Sequence, residues 1–259
     1  MMPIALTIAG SDPSGGAGIQ ADLKTFHQFG VYGEAVITLI TVQNTLGVQA
    51  METLAPQLVK QQIEVVMDDI PPGAAKTGAL GSAEIASAIA ELARVFSFPL
   101  VVDPVMFSKH GARLMSPEAE KVLRDALLPA CTLVTPNIAE AEALSGTTIG
   151  TVSDMEQAAR TIARLGPKAV LLKGGHLEGE PVDVLYSAGT SRRFMGRRVA
   201  TKNTHGTGCT YSAAITALLA RGEHLETAVS RAKQFVQSAI ESAPGLGRGF
   251  GPLNHFAGV

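Results

Sequence analysis

The chain has 259 residues, of which 46% are hydrophobic and 17% are charged, and its formal net charge at pH 7 is −2. This composition is typical of a globular protein and excludes an intrinsically disordered chain. Because so small a net charge gives no long-range field toward nucleic acid or an anionic membrane, we expect small-molecule partners, no nucleic acid and no membrane.

Short apolar segments rich in β-branched residues alternate with helical patterns along the whole chain. Strands are predicted, in chain order, over residues 4–9, 34–42, 100–103, 132–135 and 169–173. Helices are predicted over residues 17–29, 56–69, 82–96, 116–128, 137–144, 153–165, 206–221 and 225–242. This alternation predicts a single α/β domain, residues 1–259, with a mostly parallel central sheet flanked by helices.

Two segments depart from this alternation. Residues 182–186 and 192–195 flank a Ser-Ala-Gly-Thr turn and predict an antiparallel hairpin at a sheet edge. Glycines alternate over residues 245–251, a pattern equally typical of a mobile tail and of a functional segment.

The cysteines and the first residues indicate the compartment. Cys131 and Cys209 are far apart in sequence and form no disulfide framework, which favours a reducing environment. Residues 1–10 lack the basic start and cleavage site of a secretory signal, and no apolar run reaches the roughly 18 residues of a membrane span. We therefore expect a cytoplasmic protein.

A glycine-rich segment, residues 16–21, follows the first predicted strand and opens a helix. It fits the loose dinucleotide fingerprint G-x-G-x-x-A, which keeps a nicotinamide-dependent oxidoreductase as an alternative from another functional class. That fingerprint also requires an acid at the end of the next strand, where this chain has Gln43 and Asn44. A tight strand-to-helix turn is the simpler interpretation of the glycines.

A second glycine-rich segment, residues 203–210, precedes a strong helical pattern. Gly206 and Gly208 would expose bare amides at the helix N-terminus, where unpaired N–H groups and the helix dipole bind anions. Cys209 lies in the first turn, where a lowered pKa is expected and where the thiolate could accept a proton. A capped helix with a buried cysteine is the alternative.

The Gly-Thr-Gly-Cys segment at residues 206–209 resembles the anion hole of the ribokinase-like superfamily, with cysteine in place of its usual acid. This replacement resembles the hydroxymethylpyrimidine/phosphomethylpyrimidine kinases, and the resemblance runs from about residue 6 to residue 256. It implies a ribokinase-like fold with about eight mostly parallel strands. The motifs that carry it lie at residues 5–24, 43–45, 102–106, 135–140, 172–176 and 249–256.

The resemblance implies an enzyme of thiamine biosynthesis that uses ATP and Mg²⁺. Its two reactions would phosphorylate the hydroxymethyl group of 4-amino-5-hydroxymethyl-2-methylpyrimidine and then convert the monophosphate to the diphosphate. A pyridoxal kinase of the same superfamily is the alternative; Gln43 argues against it, as does Ser108 in a flap where some pyridoxal-active relatives carry cysteine. A catalytically silent binder is a further alternative, and the assembly is left open between a monomer and a homodimer.

Roles for individual residues also follow from the resemblance. The catalytic set combines a base, the amides that hold the γ-phosphoryl group and a bridging lysine: Cys209, Gly206, Thr207, Gly208 and Lys173. The pyrimidine contacts are Gln43, Asp22 and Gly10. The nucleotide contacts are Asn137, Lys173, Thr204 and Gly208, and the residues that position Mg²⁺, through waters, are Asp103 and Glu140.

Plainer interpretations stand beside these roles. Lys173 and Glu140 could be solvated surface residues, Asn137 a helix cap and Asp22 a first-turn helix acid. Residues 106–114 resemble a mobile flap, and a surface loop is the alternative. The arginines at positions 192, 193, 197 and 198 are expected to lie on a solvated hairpin edge. No histidine spacing suggests zinc.

Overall fold

The computed structural model describes residues 2–109, 111, 113–175 and 177–259. Its strands are β1 (Ile4–Ser11), β2 (Tyr32–Asn44), β3 (Gly47–Thr53), β4 (Ala74–Thr77), β5 (Leu100–Val102), β6 (Leu133–Val134), β7 (Ala169–Leu172), β8 (Val182–Ser187) and β9 (Thr190–Met195). Its α-helices are α1 (Gly18–Gln28), α2 (Pro56–Asp69), α3 (Ala83–Ala93), α4 (Pro117–Val122), α5 (Ile138–Ser145), α6 (Val152–Ala163), α7 (Thr207–Ala220) and α8 (Leu225–Glu241).

The described residues form one nine-stranded sheet in the order β3-β2-β1-β4-β5-β6-β7-β8-β9. The six strands from β2 to β7 in this order are parallel, while β3 at one edge and β8 and β9 at the other are antiparallel. The predictions of a mostly parallel sheet and of an antiparallel hairpin are confirmed. The carboxyl ends of the parallel strands meet at one edge of the sheet, where ligands bind in open α/β folds.

Two apolar layers cover the sheet. One face carries α2 to α6, with Ile63, Ile89 and Ile162 fully or nearly fully buried. The other carries α1, α7 and α8, where the rings of Phe29 and Phe235 meet edge to face with centroids 5.1 Å apart. Burial on both faces explains why the parallel strands read as continuous apolar runs rather than as alternating ones.

Strands β3 and β4 were absent from the strands predicted from sequence. Most residues of β3 are exposed at the sheet edge, so its sequence lacks a buried apolar pattern. Strand β4 has four residues, Ala-Ala-Lys-Thr, all buried, and its lysine contradicts the usual composition of a core strand.

The single helix predicted over residues 116–128 is wrong in its second half. Helix α4 ends at Val122, a π-helical turn follows over Leu123–Leu127, and a 3₁₀ turn over Leu128–Ala130 ends the segment. Pro129 has no N–H to donate to the carbonyl four residues earlier, and its ring crowds that carbonyl, so a regular helix cannot continue.

The glycine-rich C-terminal segment is not a mobile tail. The Phe250 N–H donates to the Thr45 carbonyl at 2.9 Å, and the His205 N–H donates to the Gly251 carbonyl at 3.0 Å. A Cβ atom at Gly249 would collide with the backbone of Thr45, so glycine permits this close approach. The segment therefore borders the loops that follow β2 and precede α7.

No helix in the described ranges is long and apolar enough to span a bilayer.

Candidate active site

A cavity of about 480 Å³ lies at the carboxyl ends of the parallel strands. Every predicted site residue except Asp22 lines it. Those residues are Gly10, Gln43, Asp103, Asn137, Glu140, Lys173, Thr204, Gly206, Thr207, Gly208 and Cys209.

The N-terminus of α7 forms one wall of the cavity. Gly206 caps the helix with φ +80°, and a Cβ there would collide with the Gly16 carbonyl, so this position requires glycine. At Gly208 a Cβ would lie 3.3 Å from Lys173 Nζ and 3.6 Å from Asp103 Oδ2. The first amides of a helix lack intrahelical partners, and here they lie beside an ammonium group, which suits a phosphate. The Thr207 amide contributes less, because it donates to the Thr204 carbonyl at 3.3 Å.

Lys173 is the cation opposite the helix terminus. Its Nζ donates to Asp103 Oδ1 at 3.1 Å, and 14% of its side chain is exposed. Burial opposes the charged form, but the carboxylates of Asp103 and Glu140 outweigh it and raise the pKa of Lys173. Lys173 is therefore a mostly buried cation that lines the cavity, and the alternative of a solvated surface lysine is wrong.

Asp103 and Glu140 form a buried carboxylate pair, with 2% and 4% of each residue exposed. Burial raises the pKa of Glu140 to about 7, Lys173 lowers it, and Asp103 raises it further. Asn137 and Glu140 also form a capping box at the start of α5, so the capping role is real and a surface Glu140 is wrong.

The described residues contain no cluster of three or more possible His, Cys, Asp or Glu metal ligands. Two crowded carboxylates nevertheless fit Mg²⁺, which binds through one or two carboxylates, waters and substrate phosphates. Asp103 and Glu140 are the residues that would hold it.

Cys209 does not have the lowered pKa expected from its position in the first helical turn. Burial raises the pKa of Cys209 to about 12. The ammonium of Lys76 and the Gly18 N–H lower it, but they do not offset the desolvation of the thiolate, which Asp22 and Asp103 oppose further. The side chain still lines the cavity, in the thiol form at neutral pH.

Asp22 does not reach the cavity, and its prediction as a pyrimidine contact is corrected here. Its carboxylate is fully buried, with Oδ1 2.8 Å from Lys76 Nζ and Oδ2 accepting from Thr7 Oγ1 at 2.6 Å. Asp22 therefore pairs with Lys76 beneath the site. Sequence alone could not separate the two positions, because an acid near the start of a helix has the same pattern in both. The alternative of a first-turn helix acid is also wrong, because α1 begins at Gly18 and has no acid in its first turn.

Gln43 enters the cavity from the end of β2. The pairing of β2 with β3 shifts register between Val42 and Gln43, and such a bulge redirects the side chains that follow it. The amide nitrogen of Gln43, Nε2, lies 3.2 Å from His205 Nε2, and that ring nitrogen lies 2.8 Å from Asp12 Oδ2. No role was predicted for Asp12 or His205, although His205 lies within the second glycine-rich segment and Asp12 lies shortly before the first.

The arginine cluster divides into two parts. Arg192 and Arg193 form exposed ion pairs with Glu226 and Glu156, as expected of a solvated edge. Arg197 and Arg198 also line the cavity, although Arg197 forms an exposed ion pair with Glu241 as well. Arg198 also donates to the carbonyls of residues 175, 177 and 179, which holds the loop after β7.

The predicted flap also borders the site. Residues 107–109 and Leu114 line the cavity. This position favours the interpretation of residues 106–114 as a flap at the site rather than as a surface loop remote from it. His110 and Ala112 of this flap, and His176 at the end of the 172–176 motif, lie outside the described residues.

A family model described as phosphomethylpyrimidine kinase matches residues 12–254. The chain belongs to this family. The match includes Asp12 and every site residue that lines the cavity except Gly10.

Curated relatives agree with this assignment. A hydroxymethylpyrimidine/phosphomethylpyrimidine kinase from Staphylococcus aureus is 47% identical over 258 residues, which cover 98% of this chain and 94% of the relative. The thiamine biosynthesis bifunctional protein ThiED of Geobacter sulfurreducens is 50% identical over 252 residues, 96% of this chain and 51% of that protein. The chain thus spans about half of ThiED and nearly all of the shorter kinase.

Solved structures with the same fold include two kinds of vitamin kinase. The phosphomethylpyrimidine kinase of Clostridium difficile superposes with a TM-score of 0.82 at 48% identity, over 92% of this chain and 99% of that one. An ADP complex of Bacillus subtilis pyridoxal kinase superposes with a TM-score of 0.91 at 39% identity, over 99% and 98%. The backbone alone therefore does not separate a pyrimidine from a pyridine acceptor, and the side chains of the cavity must do so.

Proposed function

We propose that this protein transfers the γ-phosphoryl group of ATP to the hydroxyl of 4-amino-5-hydroxymethyl-2-methylpyrimidine and then to the resulting monophosphate. The observation that carries the proposal is that one cavity holds the N-terminus of α7, Lys173 and Gln43. The first two groups suit a transferring phosphate, and Gln43 supplies hydrogen bonds for an aminopyrimidine. Family membership supports the phosphotransfer chemistry.

Charge stabilisation is the main contribution of the chain to the transfer. The amides of Gly208 and Cys209 face the space where charge develops on the γ-phosphoryl oxygens, and Lys173 lies across that space. Mg²⁺, when held at Asp103 and Glu140, would neutralise the charge of the nucleotide phosphates. Preorganised donors in a dry site are often the largest single catalytic effect.

The two acceptors differ in their need for a base. The hydroxyl of the first substrate must lose a proton, and Cys209 lies in the cavity where its thiolate, a minor form at neutral pH because the pKa is about 12, can receive that proton as the new bond forms. A phosphate monoester has a second pKa near 6 and is already deprotonated at pH 8. The second transfer therefore needs no base from the protein.

Gln43 is the residue we assign to pyrimidine recognition. The amidine edge of the substrate offers a ring-nitrogen acceptor beside an amine donor, and a carboxamide offers the complementary pair, as when glutamine reads adenine. Pyridoxal with an ionised phenol presents two acceptors, the phenolate oxygen and the aldehyde oxygen, so the carboxamide oxygen would find no donor. Such a bidentate pair discriminates by about 1–3 kcal/mol.

The proposal is tested by measuring kcat/KM with Mg-ATP on the pyrimidine alcohol, its monophosphate and pyridoxal. We expect the pyrimidine alcohol to be preferred over pyridoxal, and Gln43→Met to lower kcat/KM for it by roughly 5–150-fold, from 1–3 kcal/mol at 1.4 kcal/mol per decade. Activity toward pyridoxal should fall less or rise. A preference of the unmodified protein for pyridoxal would favour the pyridoxal kinase alternative.

We also propose a cytoplasmic homodimer formed through the β2–β3 edge. Ile40 and Val42, on one face of β2, are 48% and 54% exposed, and Leu46 in the adjoining turn is 53% exposed. Apolar side chains grouped at a sheet edge are typical of an interface. Light scattering should give a dimer for the native chain and a monomer for Ile40→Lys, and a native monomer at micromolar concentration would contradict this assembly.

A further inference from the structure

Three side chains from different parts of the chain are connected by short polar contacts at the cavity. Asp12 follows β1, His205 precedes α7, and Gln43 ends β2. His205 Nε2 lies 2.8 Å from Asp12 Oδ2 and 3.2 Å from the amide nitrogen Nε2 of Gln43. These contacts therefore connect a buried carboxylate, through His205, to the residue that we assign to pyrimidine recognition.

The imidazole in the middle has a fixed position. Only 3% of His205 is exposed, and a Cβ added to Gly16 would meet the ring at Cδ2, so the ring packs directly on that glycine. The backbone N–H of His205 is bound to the Gly251 carbonyl, and Pro252 pairs beside it. The ring nitrogen thus keeps its place between Asp12 and Gln43.

Asp12 determines which role that nitrogen plays. Burial opposes its charge, but hydrogen bonds from His205 and Ser14 outweigh burial and lower the pKa of Asp12, so it is a carboxylate at neutral pH. A carboxylate only accepts hydrogen bonds, and an imidazole nitrogen either donates or accepts. Nε2 of His205 therefore carries a hydrogen and donates.

The same N–H lies next to the carboxamide of Gln43, and the structure places the NH₂ group of that carboxamide, rather than its oxygen, toward the ring. A donor favours the oxygen of a carboxamide as its neighbour and disfavours the NH₂ group, which would place two donors face to face. Half a turn about the last side-chain bond of Gln43 exchanges the two groups and moves no other atom, so the hydrogen bond selects between them. The oxygen is the group that His205 selects, and it shares the one Nε2 hydrogen with Asp12 in a three-centre hydrogen bond.

We propose that Asp12 and His205 are positioning residues that hold Gln43 with its oxygen toward His205, and thereby fix which way round the pyrimidine binds. This inference rests on the proposed function and extends it from substrate identity to substrate orientation. The carboxamide oxygen accepts from the amine at C4 of the substrate, and the carboxamide NH₂ donates to ring nitrogen N3.

The chemistry of the substrate then connects orientation to transfer. The amine at C4 lies between ring nitrogen N3 and the hydroxymethyl group at C5. With the amine on the His205 side, the hydroxymethyl group also lies on that side, and His205 directly precedes the 206–209 segment that holds the phosphate. With the carboxamide reversed, the ring would bind the other way round and its hydroxyl would point away from Cys209.

The first experiment tests, without substrate, whether Nε2 of His205 carries a hydrogen. It uses imidazole ¹H–¹⁵N correlation spectra of uniformly labelled native protein at pH 7.5. The signals of His205 are assigned by their loss in His205→Gln. We expect Nε2 of His205 to be protonated. An unprotonated Nε2 would overturn the proposal, and it would do so whether or not the protein phosphorylates a pyrimidine.

The consequence is tested with two variants at the same position. His205→Leu removes the donor, whereas the amide nitrogen of His205→Gln reaches a similar place and keeps it. Loss of one hydrogen bond should lower kcat on the pyrimidine alcohol roughly 2- to 13-fold in His205→Leu. KM for the alcohol should not rise, because a reversed substrate binds unproductively, and KM for ATP should not change.

His205→Gln should recover most of the lost kcat. Ser14→Ala, which removes an exposed partner of Asp12 and leaves the His205 contact, is the matched control and should behave as the native protein. A higher KM with unchanged kcat in His205→Leu, or equal losses in both His205 variants, would show that His205 does not orient the substrate. If native protein leaves the alcohol unphosphorylated, the proposed function fails, and the spectrum still decides the state of His205.

Discussion

Replacing Gly208 with alanine should raise the stability of the protein and abolish most of its activity. Gly208 lies in the first turn of α7 with an ordinary φ, so the backbone accepts alanine and the helix should gain about 0.5–1 kcal/mol once the end of the Lys173 side chain shifts by a few tenths of an ångström. The new methyl carbon would lie 3.3 Å from Lys173 Nζ, within the space proposed for the phosphate. Loss of one preorganised donor contact typically costs 10²–10³-fold in kcat, and we expect a loss of about that size.

The assay combines thermal unfolding without ligand and initial rates of ADP release with the pyrimidine alcohol. Gly150→Ala is the matched control, because its Cβ would meet only the Asp154 carboxylate, outside the cavity, at 3.9 Å. Gly206→Ala is the opposite case: a left-handed φ and a collision with Gly16 should destabilise the fold itself. A Gly208→Ala protein that is more stable and fully active would refute the placement of the phosphate at this helix terminus.

Three further perturbations test separate parts of the structure. Cys209→Ala should slow phosphorylation of the alcohol by roughly 10²–10⁴-fold and leave phosphorylation of the monophosphate nearly unchanged, because only the alcohol needs a base. Since the pKa of Cys209 is about 12, the native rate on the alcohol should also rise from pH 6 to pH 9, and equal losses on both acceptors would exclude a base role. Lys76→Met leaves the carboxylate of Asp22 unpaired in the core and should cost roughly 3–5 kcal/mol in urea unfolding, with much of it regained by adding Asp22→Asn; no recovery in the double variant would contradict the charge argument. Burial and then Asp69 raise the pKa of Glu34 to about 7 from 4.5, so the fold favours the protonated form and loses stability as the pH rises from 4.5 to 7. Glu34→Gln should therefore stabilise the protein by roughly 1–3 kcal/mol at pH 8 and hardly at pH 4, and an equal gain at both pH values would contradict this cause.

The parts of the fold that sequence predicted well are those whose signal is local and apolar. Strand β1 and helix α2 have continuous or periodic apolar patterns, and their predicted and observed bounds nearly coincide. Strands β3 and β4 were missed for opposite reasons: β3 is too exposed to carry a pattern, and β4 contains a buried lysine whose partner, Asp22, lies 54 residues earlier. A pairing across that distance is a property of the tertiary structure.

The site residues, like the strands, could be predicted only where the signal is local in the sequence. The position of Gly206 and Lys173 at the cavity could be predicted because glycine loops and strand ends are recognisable in one sequence. The raised pKa of Cys209 could not be predicted from the sequence. The sequence shows the helix N-terminus, which favours a thiolate, but it does not show the burial that opposes the thiolate. Asp12 and His205 were overlooked because 193 residues separate them, and only the folded chain places them 2.8 Å apart.

The most direct test of the proposed function is to follow products by mass spectrometry while purified protein acts on Mg-ATP and the pyrimidine alcohol. We expect the monophosphate to appear first and the diphosphate to follow, with one ADP released for each phosphate added. Excess chelator should stop both steps. Full activity with chelator would contradict the role of Asp103 and Glu140, and ADP release with no phosphorylated pyrimidine, beside rapid phosphorylation of pyridoxal, would contradict the assignment itself.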